Sequence, residues 1–229
     1  MKRIRDAFVI EKEFITNVSH ELQTPISILK TRFENMLADE SVPDDVADKL
    51  EDSIRKLNRM SKIIKSLLMI SKIENEQFLK DEQVDIRTLI NEVTEELQDR
   101  LQSKNISMQQ NFTDDFIFGP ANKPLLYTLF SNILINATKY NRQNGSINIT
   151  TKKTDSKFIV EISDTGKGIA KENLPMVFER FKRFNNADEP SYGLGLTIVK
   201  TIADFHRIDI NVSSELDKGT TFAIEIPLT

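Results

Sequence analysis

The first third of the chain carries apolar residues at steps of three and four: Phe14, Val18, Leu22, Ile26, Leu29, Phe33 and Met36. That spacing places them on one face of a helix. A polar break follows at residues 38–43, where Ser41 is expected to cap the next helix, with Asp44 as its capping-box partner and Pro43 in the first turn. A second stripe then runs through Val46, Leu50, Ile54, Leu57, Met60, Ile64 and Leu68. Two long helices with a short connection predict an antiparallel hairpin. Such a hairpin has little of its own to cover its stripes. Pairing with a second copy into a four-helix bundle covers them at least cost, and packing both helices on the downstream domain is the alternative.

The periodicity lapses at 75–82, a predicted linker, and then becomes mixed. Asp85 is placed to cap a helix carrying Ile86, Leu89, Ile90, Val93, Leu97 and Leu101, and Pro124–Tyr140 reads as another helix, with Leu125, Leu129, Ile133 and Ala137 inward. Ser146–Thr151, Phe158–Ser163, Ile208–Ser213 and Thr221–Ile226 alternate apolar and polar residues as half-buried strands do, and a helix is expected at Gly195–Phe205. Helices on one face of a mixed sheet make an α/β sandwich. The predicted class is therefore α+β: a helical hairpin over 1–74 forming a dimeric bundle, a linker over 75–82, and a sandwich over 83–229.

Composition narrows what this architecture does. The 229 residues include no cysteine, which removes disulfides, thiol nucleophiles and zinc–thiolate sites. The net charge of −4 is spread along the chain, so nothing in it suggests nucleic acid. No run of about 18 apolar residues is present, so this segment is not expected to cross a membrane. The basic start Met1-Lys2-Arg3-Ile4-Arg5 is interrupted by Asp6, Glu11 and Glu13 before any signal-peptide core. A helix that begins without a capping turn looks like a cut end. Only His20 and His206 are available for histidine chemistry, too few for a clustered His metal site.

Four constellations have chemical potential. Ser19-His20-Glu21-Leu22-Gln23-Thr24-Pro25-Ile26 puts His20 off the buried stripe, beside a carboxylate that can take a proton from the imidazole, with Thr24 one turn further along. Pro25 removes a backbone donor and permits a bend below the histidine. A surface histidine beside a chance glutamate is the plain alternative. Asn132, Asn136, Lys139 and Tyr140 share one helical face, an odd set for a core but a sensible one beside a nucleotide. An amide oxygen can ligate Mg²⁺, a lysine can neutralise phosphate, and a ring can pack on a base. Asp164-Thr165-Gly166-Lys167-Gly168-Ile169 follows a strand, and is either a carboxylate with close-approach glycines for an adenine or an ordinary turn. Tyr192-Gly193-Leu194-Gly195-Leu196 opens a helix, whose N–H groups suit phosphate, although the spacing matches neither a dinucleotide fingerprint nor a P-loop. Before it, Asn185–Ser191 is a candidate flap over the nucleotide.

In this order and spacing, the segments resemble the sensor histidine kinases of two-component signalling. Ser19–Ile26 looks like the H box, Asn132–Tyr140 the N box, Asp164–Ile169 the first glycine box and Phe178–Phe181 the F box. Gly193–Leu196 and Gly219–Phe222 look like the second and third glycine boxes. The resemblance implies a dimerisation and phosphotransfer hairpin followed by the ATP-binding sandwich shared with gyrase and the large heat-shock chaperones. It implies that His20 accepts the γ-phosphoryl group of ATP, that Glu21 is its general base, and that Thr24 positions water when the enzyme dephosphorylates its partner. Asn136 would ligate Mg²⁺, helped by Asn132. Lys139 and Tyr140 would line the nucleotide, Asp164 would hold the adenine, and Arg183 would meet the terminal phosphate. Gly166, Gly168, Gly193, Leu194, Gly195 and Thr220 complete the implied ATP-binding set. The implied partners are a second copy of the chain and a response-regulator receiver domain, with neither nucleic acid nor membrane contacted by this segment. A cytoplasmic position is expected, with a membrane anchor and sensor upstream of residue 1.

The sequence departs from the family pattern at Gln23, at Ser191-Tyr192 and at Arg207-Ile208. Three rivals share the nucleotide fold: an ATP-hydrolysing machine, a dimeric scaffold with a relic site, and a protein-serine kinase. Asn132 in place of a water-activating carboxylate argues against the first. The intact Asn136, Asp164 and glycines argue against the second, and His20 beside Glu21 against the third.

Overall fold

The computed structural model describes residues 21–39, 41–182 and 192–228, and the chain divides into two compact units, Met1–Gln77 and Phe78–Thr229. In the first unit, residues 21–37 form helix α1, uninterrupted at Pro25, and Asp44–Glu74 form the 31-residue helix α2. The connection differs from the expected capping box. Pro43 is the N-cap, extended at φ −62° and ψ 146°, and no side chain caps the helix. Ser41 instead turns back, its N–H and Oγ meeting Asp39 Oδ1 at 2.9 and 2.7 Å. The start of α2 is favoured by the acidic Asp44 and Asp45 in its first turn, and its end by Lys72, each complementing the helix dipole.

Along the predicted stripes, Ile26, Leu50 and Leu57 are buried, but Leu22 (43 %), Leu29 (42 %), Met36 (52 %) and Met60 (50 %) are left exposed. Half-exposed large apolar residues on both helices mark a surface that the described residues do not cover. No described helix is long and apolar enough to cross a membrane.

The second unit is built on a five-stranded sheet in the order β2-β4-β5-β7-β6, formed by β2 (Ser107–Asn111), β4 (Ser146–Lys153), β5 (Lys157–Asp164), β6 (Asp209–Glu215) and β7 (Gly219–Pro227). Only β2–β4 is parallel among these pairs. Alternation along β4, β5 and β7 sends Ile147, Ile149, Phe158, Val160, Ile162, Phe222, Ile224 and Ile226 to the covered face, all almost wholly buried. Over that face lie helices α3 (Ile86–Glu96), α5 (Lys123–Lys139) and α6 (Gly195–His206), whose Leu89, Ile90, Leu126, Phe130, Ile133, Val199 and Ile202 close the core. Each such side chain contributes roughly 1.5–3 kcal/mol by leaving water.

Three strands were not legible: β1 (Glu82–Asp85) and β3 (Ile117–Ala121), which pair as a small antiparallel sheet, and β2. Strand β1 begins at Glu82, the last residue of the predicted linker. The helix expected from Ile86 to Leu101 is broken: Asp85 caps it as predicted, accepting from Thr88 N–H at 2.9 Å, but α3 stops at Glu96 and a short α4 (Gln98–Ser103) follows.

The far ends of α5 and α6 are tied together by the second histidine. His206 is buried, its Nδ1 lies 2.9 Å from the Ile202 carbonyl, and its Nε2 accepts the Asn122 N–H at 3.1 Å. This fixes a neutral ring with the proton on Nδ1. Burial is the main reason its pKa is lowered, with Lys80 adding to it and the Ile202 contact opposing. Helix α6 then ends with Arg207 in the left-handed region (φ 58°, ψ 37°), while Ile208 N–H returns to Ala203 O at 2.8 Å and Arg207 N–H to Asp204 O at 3.1 Å.

A left-handed conformation is costly for arginine and easy for glycine. Arg207→Gly is therefore expected to raise unfolding free energy by roughly 0.5–1 kcal/mol, after allowance for glycine's greater freedom in the unfolded chain. Urea denaturation checks this, and a midpoint equal to or below that of the unmodified chain would refute it.

Candidate active site

Helix α5 starts cleanly because Asn122 Oδ1 accepts the Leu125 N–H at 3.0 Å and Pro124 lies in the first turn. The predicted inner residues Leu125, Leu129, Ile133 and Ala137 are buried as expected. This leaves Asn132, Asn136 and Lys139 half-buried along one edge, with Tyr140 at the C-cap. Asn132 Nδ2 donates to the Thr128 carbonyl at 2.8 Å. Its Oδ1 faces the first residue of α6 so closely that a Cβ at position 195 would stand only 2.9 Å away, and the Asn132 amide would have to shift to admit one. The side chain of Asn136 makes no hydrogen bond among the described residues, so its amide retains its ligating capacity. Lys139 Nζ lies 5.7 Å from the Tyr140 ring centroid.

Asp164 is the last residue of β5, in register with Ile147 of β4 and Thr220 of β7. Its Oδ1 accepts two backbone donors, Gly166 N–H at 2.8 Å and Thr220 N–H at 3.3 Å, while Oδ2 accepts none among the described residues. Burial raises its pKa from the usual 3.8 to about 6, against the opposing pull of those two N–H groups. Gly168 is left-handed (φ 65°), and any side chain there would collide with the Glu215 carbonyl in the β6–β7 turn. The predicted Asp164–Ile169 segment is thus more than a surface turn. Thr220, from the segment that resembles the third glycine box, is buried, with its hydroxyl 2.9 Å from Ser214 Oγ.

Several residues of this neighbourhood were not singled out from the sequence. Asn141 is buried, and its Oδ1 accepts from Arg142 N–H at 3.0 Å and Thr165 Oγ1 at 3.3 Å, while its Nδ2 donates to Ser146 O at 3.1 Å. Arg142 Nη2 donates to Gly166 O at 3.1 Å and also to Asp217 O. Tyr140 O accepts Lys167 N–H at 3.0 Å. Nothing in the spacing of an Asn-Arg pair after a helix signals such work, because the partners of Arg142 are backbone carbonyls remote in sequence and those of Asn141 are backbone groups of the following turn and a distant hydroxyl.

At the other side, Gly193 is left-handed (φ 67°) and its carbonyl accepts Phe181 N–H at 2.8 Å, while Leu194 is buried immediately before α6. Phe178 of the predicted F box accepts a hydrogen bond from Thr197 Oγ1 at 3.0 Å. The structure therefore brings Asn132, Gly193, Leu194 and Gly195 to one junction, and Asp164, Gly166, Gly168 and Thr220 to another, with the α5 edge carrying Asn136, Lys139 and Tyr140. His20, Arg183 and the expected flap Asn185–Ser191 lie outside the described residues. Glu21 and Thr24 are exposed on α1, in the other unit. His206 has both ring nitrogens engaged and does not offer a nucleophile.

Comparison with known proteins agrees with this arrangement. Residues 10–76 match the His Kinase A (phospho-acceptor) domain, and residues 121–229 match the histidine kinase-, DNA gyrase B- and HSP90-like ATPase family. Sensor histidine kinase RppB of Synechocystis sp. is 30 % identical over 233 residues, covering 100 % of this chain and 51 % of that protein. Sensor protein SrrB of Staphylococcus aureus is 31 % identical over 223 residues, covering 95 % of this chain and 38 % of that protein. The chain thus spans about half the length of the first relative and less of the second. Among solved structures, histidine kinase ThkA in complex with response regulator protein TrrA matches at a TM-score of 0.65 and 26 % identity, covering 98 % of this chain and 64 % of that one.

The raised pKa of Asp164 has a measurable sign. A carboxyl group whose folded pKa lies above its unfolded value contributes stability that is fully present below pH 3.8 and is lost as pH rises through about 6. Asp164→Asn keeps the acceptor for Gly166 and Thr220 without the charge. Its stability relative to the unmodified chain should therefore climb by about 2–3 kcal/mol between pH 4 and pH 7.5. Parallel denaturation curves with a constant offset across that range would contradict this.

Proposed function

The chain belongs to the sensor histidine kinases, and on that premise we propose that it uses ATP with Mg²⁺ to phosphorylate its own His20 and then passes the phosphoryl group to an aspartate of a response regulator. The observation that carries the nucleotide half of this reading is the division of labour within the Asp164 carboxyl group. Oδ1 is held by Gly166 and Thr220, and Oδ2 keeps its acceptor capacity for a donor such as the adenine amino group. Asn136, whose amide makes no hydrogen bond among the described residues, and the neighbouring Asn132 fit a hard cation with oxygen ligands. Bound there, Mg²⁺ would offset the charge of the phosphates. Lys139 adds a positive charge on the same edge, and Tyr140 a ring for the base. Gly166, Gly168, Gly193 and Gly195 allow the tight backbone contacts that shape the loops around the nucleotide, Leu194 and Thr220 are assigned to its binding, and Arg183 is assigned to the terminal phosphate.

In the chemical step, a ring nitrogen of His20 forms the new bond to the γ-phosphorus as the bond from that phosphorus to the bridging oxygen of ADP breaks. Glu21, the general base, accepts the proton from the other ring nitrogen as positive charge develops on the imidazole. Thr24, one turn on, is assigned to positioning water when the phosphorylated regulator is hydrolysed. Movement about the 75–82 linker presents His20 to the nucleotide. The exposed Leu22, Leu29, Met36 and Met60 support a homodimer built through the hairpin. The kinase–regulator complex formed by ThkA supports a receiver domain as the partner. We place the segment in the cytoplasm, with the full protein anchored in a membrane through a region outside it.

Incubation with Mg²⁺ and γ-labelled ATP should give an acid-labile, base-stable label that is absent in His20→Gln, while His20→Gln still binds ADP. Asn136→Ala should lower labelling by at least tenfold at limiting ATP. A label that persists in His20→Gln would refute the assignment of the acceptor.

A further inference from the structure

Beyond the residues that would touch a nucleotide, we infer that Arg142 is a positioning residue that sets the base specificity of the site; this rests on the ATP-binding reading above. Three chain segments distant in sequence meet at its guanidinium. It leaves the end of α5 at residue 142, donates to the carbonyl of Gly166 in the loop after β5 at 3.1 Å, and donates to the carbonyl of Asp217 in the β6–β7 turn. The peptide units flanking Gly166 are thereby held from both sides, since the Gly166 N–H is given to Asp164 Oδ1 at 2.8 Å. What fixes Gly166 also fixes the rotamer of the Asp164 carboxyl group and hence the direction of its uncommitted Oδ2.

The contacts around it show why one arginine has this reach. A Cβ at residue 166 would lie 2.5 Å from the Tyr140 carbonyl, and the same carbonyl accepts Lys167 N–H at 3.0 Å, so the loop rests directly on the end of α5. On its other flank, Lys167 O accepts Asp217 N–H at 2.8 Å. Loop and turn are therefore hydrogen-bonded to each other through one backbone bond, and Arg142 bridges them with a charge-assisted pair. Bonds of that kind are stronger than neutral ones, and a planar, permanently charged donor suits two carbonyls at once. Asn141 holds the root of the arginine by accepting its backbone N–H. The side chain of Arg142 is itself exposed, so its removal opens no cavity in the core.

A loop loosened in this way affects recognition of the base more than recognition of the phosphates, because Asp164 is the group whose aim it sets. The test compares ADP and GDP binding to the full chain, by calorimetry, for the unmodified protein, Arg142→Ala and Arg142→Lys, with melting curves recorded without nucleotide to confirm folding. Arg142→Ala should weaken ADP about tenfold and GDP much less, compressing the preference for adenine, and Arg142→Lys, whose flexible and more strongly hydrated ammonium is held less firmly than the planar guanidinium, should recover part of it. An unchanged ADP-to-GDP ratio in Arg142→Ala, whether both affinities hold or both fall together, would overturn the inference. Failure of the unmodified chain to bind ADP would overturn instead the reading on which it rests.

Discussion

The second unit depends on one arrangement at the end of β5: a half-buried carboxyl group whose first oxygen takes two backbone N–H groups and whose second takes none among the described residues. Burial makes the ionised form expensive and raises the pKa to about 6, and the two N–H groups offset that expense only in part. The neighbouring backbone is organised to keep this balance. Thr220 enters from β7, Gly166 turns back over the carboxylate, and the β6–β7 turn presses so closely that Gly168 must be glycine. A donor placed at Oδ2 would relieve desolvation already incurred in folding.

What the sequence disclosed follows from the nature of the signals. Strands β4, β5 and β7 pack one face on helices, so their alternation is strong and their positions were readable to within a few residues. Strand β2, Ser-Met-Gln-Gln-Asn, is almost wholly exposed at the sheet edge, and so carries no apolar period to read. The small β1–β3 sheet does bury Val84, Phe118 and Ala121, but its strands are only four and five residues long, and buried positions three apart in β3 show no alternation. The cap at Asp85 was legible because an Asx residue before an apolar helix acts locally, whereas Ser41 was misread because Asp39 competes for it within the same turn.

The site shows a similar division. Residues that would face a ligand (Asn136, Asp164 and the glycines) stand out because their chemistry is unusual for where they sit in the pattern. Residues that hold those groups in place do not. Asn141 and Arg142 work through carbonyl and amide groups of segments more than twenty residues away, or of the next turn, and a backbone partner leaves no mark on the residue type opposite. Side-chain identity advertises reactivity far better than it advertises support.

The tie between α5 and α6 has one further consequence. His206 gives one ring nitrogen to Ile202 and the other to Asn122, inside the fold. To a reagent that needs a free imidazole nitrogen, the folded chain behaves as a protein with at most a single histidine, although its composition contains two. Acylation of His206 therefore follows the departure of α6 from the start of α5, because that ring becomes reactive only when the two helices part. Label found on this one residue thus reports opening of the nucleotide-binding unit, and its absence reports that the unit is closed.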